Sequence, residues 1–312
     1  MTHATIAQPS SSESKLPAVT SMGAVRLRVR DVASVLTFYT DGVGLTVLTE
    51  NSGEIMLGLR REGTGGRGEE NVVLILEHDP SLRHPSRTEA GLFHVAILFD
   101  TKHDLALSLL STMRRYQERY MGPGDHLVSQ AFYFADPEGN GVELYWDRPR
   151  EEWAWTNGQV QMDTLFIDAA QFIRANLTEE EVVRIAEGQA ELDLLGTVGH
   201  VHLQVGDTAT AREFYVKALG FDQTATLGNQ ALFVAAGGYH HHMAMNVWNS
   251  RGAGPREKTL GLGVINVDLP DDDSIARAAD RLKFHGIQAT FEGNSLRLSD
   301  PWNNLLVLRP AD

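Results

Sequence analysis

Apolar and polar residues alternate along two stretches that align without gaps, GAVRLRVRDVASVLTFYTDGVGL from Gly23 to Leu45 and GHVHLQVGDTATAREFYVKALGF from Gly199 to Phe221. Val25, Leu27 and Val29 in one, and Val201, Leu203 and Val205 in the other, predict a half-buried opening strand. Asp31 or Asp207 then stands where a helix N-cap is expected, because a short side-chain acceptor satisfies the free N–H groups of a first turn. The following short helix has its apolar face on Val35, Phe38 and Tyr39, or on Ala211, Phe214 and Tyr215. Gly44 and Gly220 end these helices, since the left-handed turn that stops a helix strains other residues. Three strand-like runs come next, among them Glu54 to Leu59 and Val72 to Glu77 in the first copy.

A second repeat opens with GLFHVAILFD at Gly91 and with GLGVINVDLP at Gly261. Helices are predicted over about Asp104–Tyr120 and Ser274–His285, and each copy has an Asp-Pro turn before its last strand, ADPEGNGVELYW at Ala135 and SDPWNNLLVLRP at Ser299. That offset sets Glu143 opposite Val307. Four βαβββ modules result, over 22–80, 90–150, 197–250 and 260–311. Residues 1–21, Ser-rich at their start, are expected to form a disordered tail. Residues 151–196 are expected to be a linker with a helix, entered through a capping box of Thr178 and Glu181.

Composition narrows the chemistry. A net charge of -14 argues against a nucleic-acid partner, whose affinity comes from clustered Lys and Arg. No run approaches the roughly 20 apolar residues of a membrane span, and the N-terminal segment lacks the apolar core of an export signal, so a cytoplasmic protein is expected. The chain has no cysteine, so any metal must be held by His and carboxylate.

The opening strand, the helix ending in Phe-Tyr, the Leu-Gly-Phe break at Leu219–Phe221 and the turn Asp136-Pro-Glu-Gly-Asn-Gly resemble the vicinal-oxygen-chelate superfamily, which includes glyoxalase I, bleomycin-resistance proteins and type I extradiol dioxygenases. The resemblance covers nearly everything from Met22 to Pro310, and GGYHHHMAMNVW at Gly237 is similar to bacterial catechol 2,3-dioxygenases. It implies an α+β fold in which four βαβββ modules form two incomplete β-barrel domains, within regions 22–150 and 197–312.

In that superfamily metal ligands come from the first strands of two paired modules and the last strand of one. Those positions hold Ala24, His94, His200 and Gly263 or Val264 on the first strands, and Glu143 and Val307 on the last. The resemblance therefore implies a site of His94, Glu143 and His200, a set suited to Fe(II), with Mn(II) also accepted. His202, two residues on and on the same strand face, is the rival to His200, which keeps the family spacing to Asp207. Modules two and three must then pair across the middle of the chain, leaving one with four, and the His94 and His200 ring nitrogens must lie within about 7 Å. Singly, each His could be an ordinary strand residue, and Glu143 could pair with Arg148 or Arg150.

Extradiol cleavage needs an acid/base and hydrogen-bond donors beside the metal. The family's His-His pair falls on the run His240, His241 and His242, with His242 expected as acid/base and His241 as runner-up. Strand alternation would place His240 and His242 on one face and His241 on the other. Tyr133 matches the family tyrosine that bonds the substrate, and His126 resembles its second-sphere histidine, although a core aromatic and a loop His are the plainer readings. Asp136, Pro137, Gly139 and Asn140 read as turn-formers. The implied function is an Fe(II)-dependent extradiol dioxygenase that opens a catechol-type aromatic diol with O2. The alternatives are a glyoxalase-like isomerase or lyase, disfavoured because MAMNVW carries no second carboxylate, and a metal-free small-molecule-binding protein. Edge strands often pair between subunits in this family, which leaves room for a homo-oligomer.

Overall fold

The computed structural model describes residues 15–61, 69–190 and 192–311. Module one contributes β1 (Ser21–Val29), α1 (Val32–Thr37), β2 (Thr46–Asn51), β3 (Glu54–Arg61) and β4 (Glu69–His78). Module two contributes β5 (Gly91–Phe99), α2 (Lys102–Tyr116), β6 (Tyr120–Asp125), β7 (Ser129–Ala135) and β8 (Gly141–Asp147). The linker holds the short hairpin β9 (Trp155–Thr156) and β10 (Gln159–Val160) and two helices, α3 (Ala169–Asn176) and α4 (Glu179–Glu187), where one was expected. Module three has β11 (Gly196–Gln204), α5 (Thr208–Ala211), β12 (Asp222–Leu227), β13 (Ala231–Ala235) and β14 (Met243–Asn246). Module four has β15 (Gly261–Leu269), α6 (Asp272–Phe284), β16 (Ala289–Glu292), β17 (Ser295–Ser299) and β18 (Leu305–Pro310).

The strands make two curled eight-stranded sheets, and neither sheet is built from consecutive modules. One runs β16-β17-β18-β15-β1-β4-β3-β2 and joins modules four and one; the other runs β12-β13-β14-β11-β5-β8-β7-β6 and joins three and two. Each opening strand lies beside the last strand of its own module in parallel, as β5 does with β8 and β11 with β14. The opening strands of partner modules meet antiparallel at the centre, β5 against β11 and β1 against β15. This is the α+β architecture of four repeated modules expected above.

Strand parity decides what each face carries. On β5, Val95, Ile97 and Phe99 enter the large hydrophobic core, while His94 and Ala96 face the other way. On β8, Val142 and Leu144 are core, so Glu143, Tyr145 and Asp147 share the opposite face. The caps behave as their residue types predict. Asp31 and Asp207 accept from Ser34 N–H and Thr210 N–H, and Thr178 with Glu181 forms the capping box. Beyond α1 and α5 the chain widens into π-helical turns over Phe38–Val43 and Arg212–Ala218. Gly44 and Gly220 follow, with φ of 92° and 97°.

The two Asp-Pro turns tie the sheets together. Asp300 accepts from the Trp302 and Asn304 backbone N–H groups and from the Tyr215 hydroxyl at 2.8 Å; Asp136 has the same arrangement with Glu138, Asn140 and Tyr39. The two tyrosine bonds each join a helix of one sheet's module to a turn of the other's.

The expected tail needs correction. Residues 1–14 lie outside the described residues, but 15–21 are structured: Leu16 is buried, its N–H bonds the Gly220 carbonyl at 2.8 Å, and β1 already begins at Ser21. An apolar side chain and a free backbone donor beside the Gly220 turn hold this segment against module three.

Candidate metal centre

The three residues singled out as ligands meet inside the second sheet. His94 Nε2 lies 2.9 Å from Glu143 Oε2, His200 Nε2 lies 3.1 Å from the same oxygen, and the two ring nitrogens are 3.3 Å apart. All three side chains are buried, and they form the metal-competent cluster found among the described residues. Two bonds of about 2.1 Å meeting at a right angle put their donor atoms about 3.0 Å apart, whereas a tetrahedral angle gives about 3.4 Å. The observed separations, 2.9, 3.1 and 3.3 Å, fall in the range these two spacings span, so the residues fit a divalent metal.

The charge states suit a cation. Burial alone would push the Glu143 carboxyl up, but the His200 and His94 rings hold it well below the usual carboxylate range. Burial pushes His200 down to about 4, against the pull of Glu143. A carboxylate beside neutral imidazole is the deprotonated form in which these groups bind metal. His200 Nδ1 has no protein partner, so the ring is placed by its strand and by stacking on Tyr145 at 4.9 Å and His241 at 4.1 Å.

His202 is near but separate. Its ring packs 4.9 Å from His94, yet its Nε2 is engaged by the Asn246 amide at 3.0 Å. Burial holds its pKa well below the ordinary histidine value.

Tyr133 sits opposite Glu143 in the β7–β8 pairing, and burial together with the Glu143 charge raises its hydroxyl pKa. That hydroxyl lies 2.7 Å from His126 Nε2, and His126 Nδ1 lies 2.8 Å from the Asp163 carbonyl. A carbonyl only accepts, so His126 Nδ1 carries a proton, and the Tyr133 hydroxyl has both His126 Nε2 and the Glu143 carboxylate as hydrogen-bond partners. The linker supplies this carbonyl because it runs along β6, where Asp125 and Leu165 exchange both backbone hydrogen bonds.

The histidine run departs from expectation. It lies in the loop before β14 and not within a strand, so alternation does not apply. The turn at Gly237 and Gly238, with φ of 62° and 68°, redirects the backbone just ahead of it. His240 and His241 face one cluster, their Nδ1 atoms 2.7 Å apart. His241, not His242, stacks on His200. His242 Nδ1 accepts from the Ala236 N–H, and its ring lies near Tyr239 and Phe221.

Sequence reasoning passed over Tyr145, Asp147 and Tyr239. Their signal was present, because Tyr145 and Asp147 follow Glu143 by two and four residues and so must share its face. Gly199 is likewise constrained: a Cβ there would clash with the Tyr145 hydroxyl oxygen. Gly199→Ala should destabilise the protein by about 3 kcal/mol, read by chemical denaturation. Gly199→Ala/Tyr145→Phe should recover part of that by deleting the clashing oxygen. A single variant as stable as the parent would show that β11 yields freely at this point.

The sequence profile of the Glyoxalase/Bleomycin resistance protein/Dioxygenase superfamily matches residues 21–144 and 197–308. A Bacillus subtilis (strain 168) protein named catechol-2,3-dioxygenase is 36% identical over 288 residues, covering 90% of this chain and 94% of its own length. Among solved structures, the cppA protein from Streptococcus pneumoniae TIGR4 superposes with a TM-score of 0.55 at 13% identity, covering 93% of this chain and 100% of its own. Glyoxalase I from Zea mays superposes at 0.52 and 16% identity, covering 93% and 92%. These two similarities concern the fold. No helix among the described residues is long and apolar enough to cross a membrane.

Proposed function

The chain belongs to the Glyoxalase/Bleomycin resistance protein/Dioxygenase superfamily, and from that premise we propose that it is a cytoplasmic Fe(II)-dependent extradiol dioxygenase acting on a catechol-type aromatic. The observation that carries this reading is the buried trio His94, His200 and Glu143, with donor atoms 2.9–3.3 Å apart. A relative that spans nearly the whole chain and is named catechol-2,3-dioxygenase supports it. The glyoxalase-like alternative has no observation in its favour, since β14 offers Met243–Asn246 and no second carboxylate.

A metal on these three residues supplies a Lewis-acid and redox centre where a vicinal diol and O2 can meet. The protein's own groups bind, orient and titrate. Glu143 contributes one negative charge, which leaves a divalent site net positive and favours a diol that gives up a proton. His241, packed against His200 and held neutral by burial, is the base placed to take it. Tyr133, its hydroxyl bonded to His126 and Glu143, is placed to hydrogen-bond a substrate oxygen and fix the ring's orientation. The buried setting excludes bulk water.

The test is to load the purified protein with Fe(II) under anaerobic conditions, add catechol, and admit air. A yellow ring-opened product is expected, and a chelator should abolish it. No product from a panel of catechols and hydroquinones would overturn the reading. His241→Ala and Tyr133→Phe should each lower kcat by about 10²-fold while metal content stays unchanged.

A further inference from the structure

Asp147 belongs to no ligand set, yet it is joined to the metal chamber by an unbroken chain of hydrogen bonds. Its Oδ1 lies 2.8 Å from His240 Nε2, and His240 Nδ1 lies 2.7 Å from His241 Nδ1. Its Oδ2 accepts from the Tyr239 hydroxyl at 2.7 Å, and the Tyr239 and Tyr145 hydroxyl oxygens are 2.8 Å apart. Tyr145 and Asp147 lie on the same face of β8 as Glu143, and Trp153 and Tyr239 pack against the His240 ring at 5.1 and 4.1 Å.

Donor and acceptor rules give this chain one direction. A carboxylate only accepts, so His240 donates from Nε2 and Tyr239 donates its hydroxyl proton. Neutral His240 then has only a lone pair at Nδ1, and His241 must donate from Nδ1. That leaves His241 Nε2 unprotonated, on a ring whose centroid lies 4.1 Å from that of the proposed ligand His200. Tyr239, its proton spent on Asp147, accepts from Tyr145, the residue that excludes a side chain at Gly199. The arrangement follows the logic by which a buried carboxylate orients a catalytic imidazole, extended here by one ring.

We infer that Asp147 is a positioning residue: through His240 it fixes the tautomer and orientation of His241, so that the Nε2 lone pair is presented at the metal centre. The kinetic consequence rests on the ring-cleavage reading above; the tautomer does not. A purely structural Asp147 would tie the 236–242 loop to β8 and affect only stability.

The decisive measurement is the ¹⁵N spectrum of histidine-labelled full-length protein loaded with diamagnetic Zn(II), with His241 assigned from a His241→Gln variant. In the parent, His241 should show a protonated Nδ1 and an unprotonated Nε2. In Asp147→Asn those signals should mix or exchange. Unchanged signals would overturn the inference whatever the activity. With iron, the same variant should lose about 10²-fold in kcat with little change in KM for catechol or in metal content, and Asp147→Glu should recover part of the loss. If the tautomer responds as expected but the parent cleaves no catechol, the ring-cleavage reading falls and the positioning role stands. Should Asp147→Asn not fold, Tyr239→Phe, which removes one of the two anchors on the carboxylate, should shift the same signals in part. Unchanged signals there would equally overturn the inference.

Discussion

Glu143→Ala is expected to strip the protein of its metal and abolish turnover, by a factor above about 10³ in kcat/KM. Glu143 is the one anion in the trio, and both imidazoles lean on the same oxygen, Oε2, at 2.9 and 3.1 Å. Without it a divalent ion would face two neutral donors in a buried site, with its charge uncompensated. Glu143→Gln separates charge from shape, because the amide keeps the volume and loses the anion; it too should lose metal. The readouts are metal content after anaerobic iron loading and thermal stability with and without added metal. A ligand at 100 times its Kd stabilises the folded state by about 2.7 kcal/mol, so the parent should gain several degrees on loading and both variants almost none. Normal iron content in Glu143→Gln would remove the carboxylate from the ligand set.

The second large effect is acid lability. Burial pushes His200 down to about 4 and His242 down to about 3, and it holds His202 and His241 well below the ordinary histidine value. A histidine whose pKa is depressed on folding binds fewer protons folded than unfolded. Stability is therefore complete above about pH 6.5 and falls as pH drops, by up to about 1.4 kcal/mol per pH unit for each ring. Three buried carboxyls oppose this, among them Asp104, raised by burial. Burial raises Asp136 to about 6 and Asp300 above the usual carboxylate range, so each costs stability as pH rises through the interval between its unfolded and folded values. Four histidines against three aspartates leave a net loss on the order of 1 kcal/mol per pH unit below about pH 6. Domains are commonly stable by about 5–15 kcal/mol, so the melting temperature is expected to fall steadily as pH drops below about 6. Melting temperatures measured at half-unit steps from pH 7.5 to 4.5 test this; a flat profile would show that the imidazoles reach solvent.

Much of this architecture is legible in one dimension. The paired stretches at Gly23 and Gly199 show the repeat because each must form the same strand, capped helix and glycine break, and these depend on neighbours a few residues away. The candidate ligand positions are legible for a related reason: His94, Glu143 and His200 occupy equivalent places in repeats whose other copies hold Ala24, Gly263 or Val264, and Val307. The face shared by Glu143, Tyr145 and Asp147 follows from strand parity alone.

Other features depend on contacts between distant segments. Which histidine of His240, His241 and His242 meets the metal centre turns on the Gly237–Gly238 bend, which a strand pattern misreads. The tautomer of His126 depends on a linker carbonyl from Asp163, brought there by pairing along β6. Leu16 is held by a turn more than 200 residues away. The sequence by itself determined the modules, their caps and the residue types able to hold a metal, because periodicity and local hydrogen bonding act over a few residues. Only the tertiary structure decided that modules two and three share a sheet, that His94 and His200 stand 3.3 Å apart, and that Asp147 reaches His241 through His240. Sheet register and loop direction follow from burying one continuous core, and no local stretch of the chain contains that constraint.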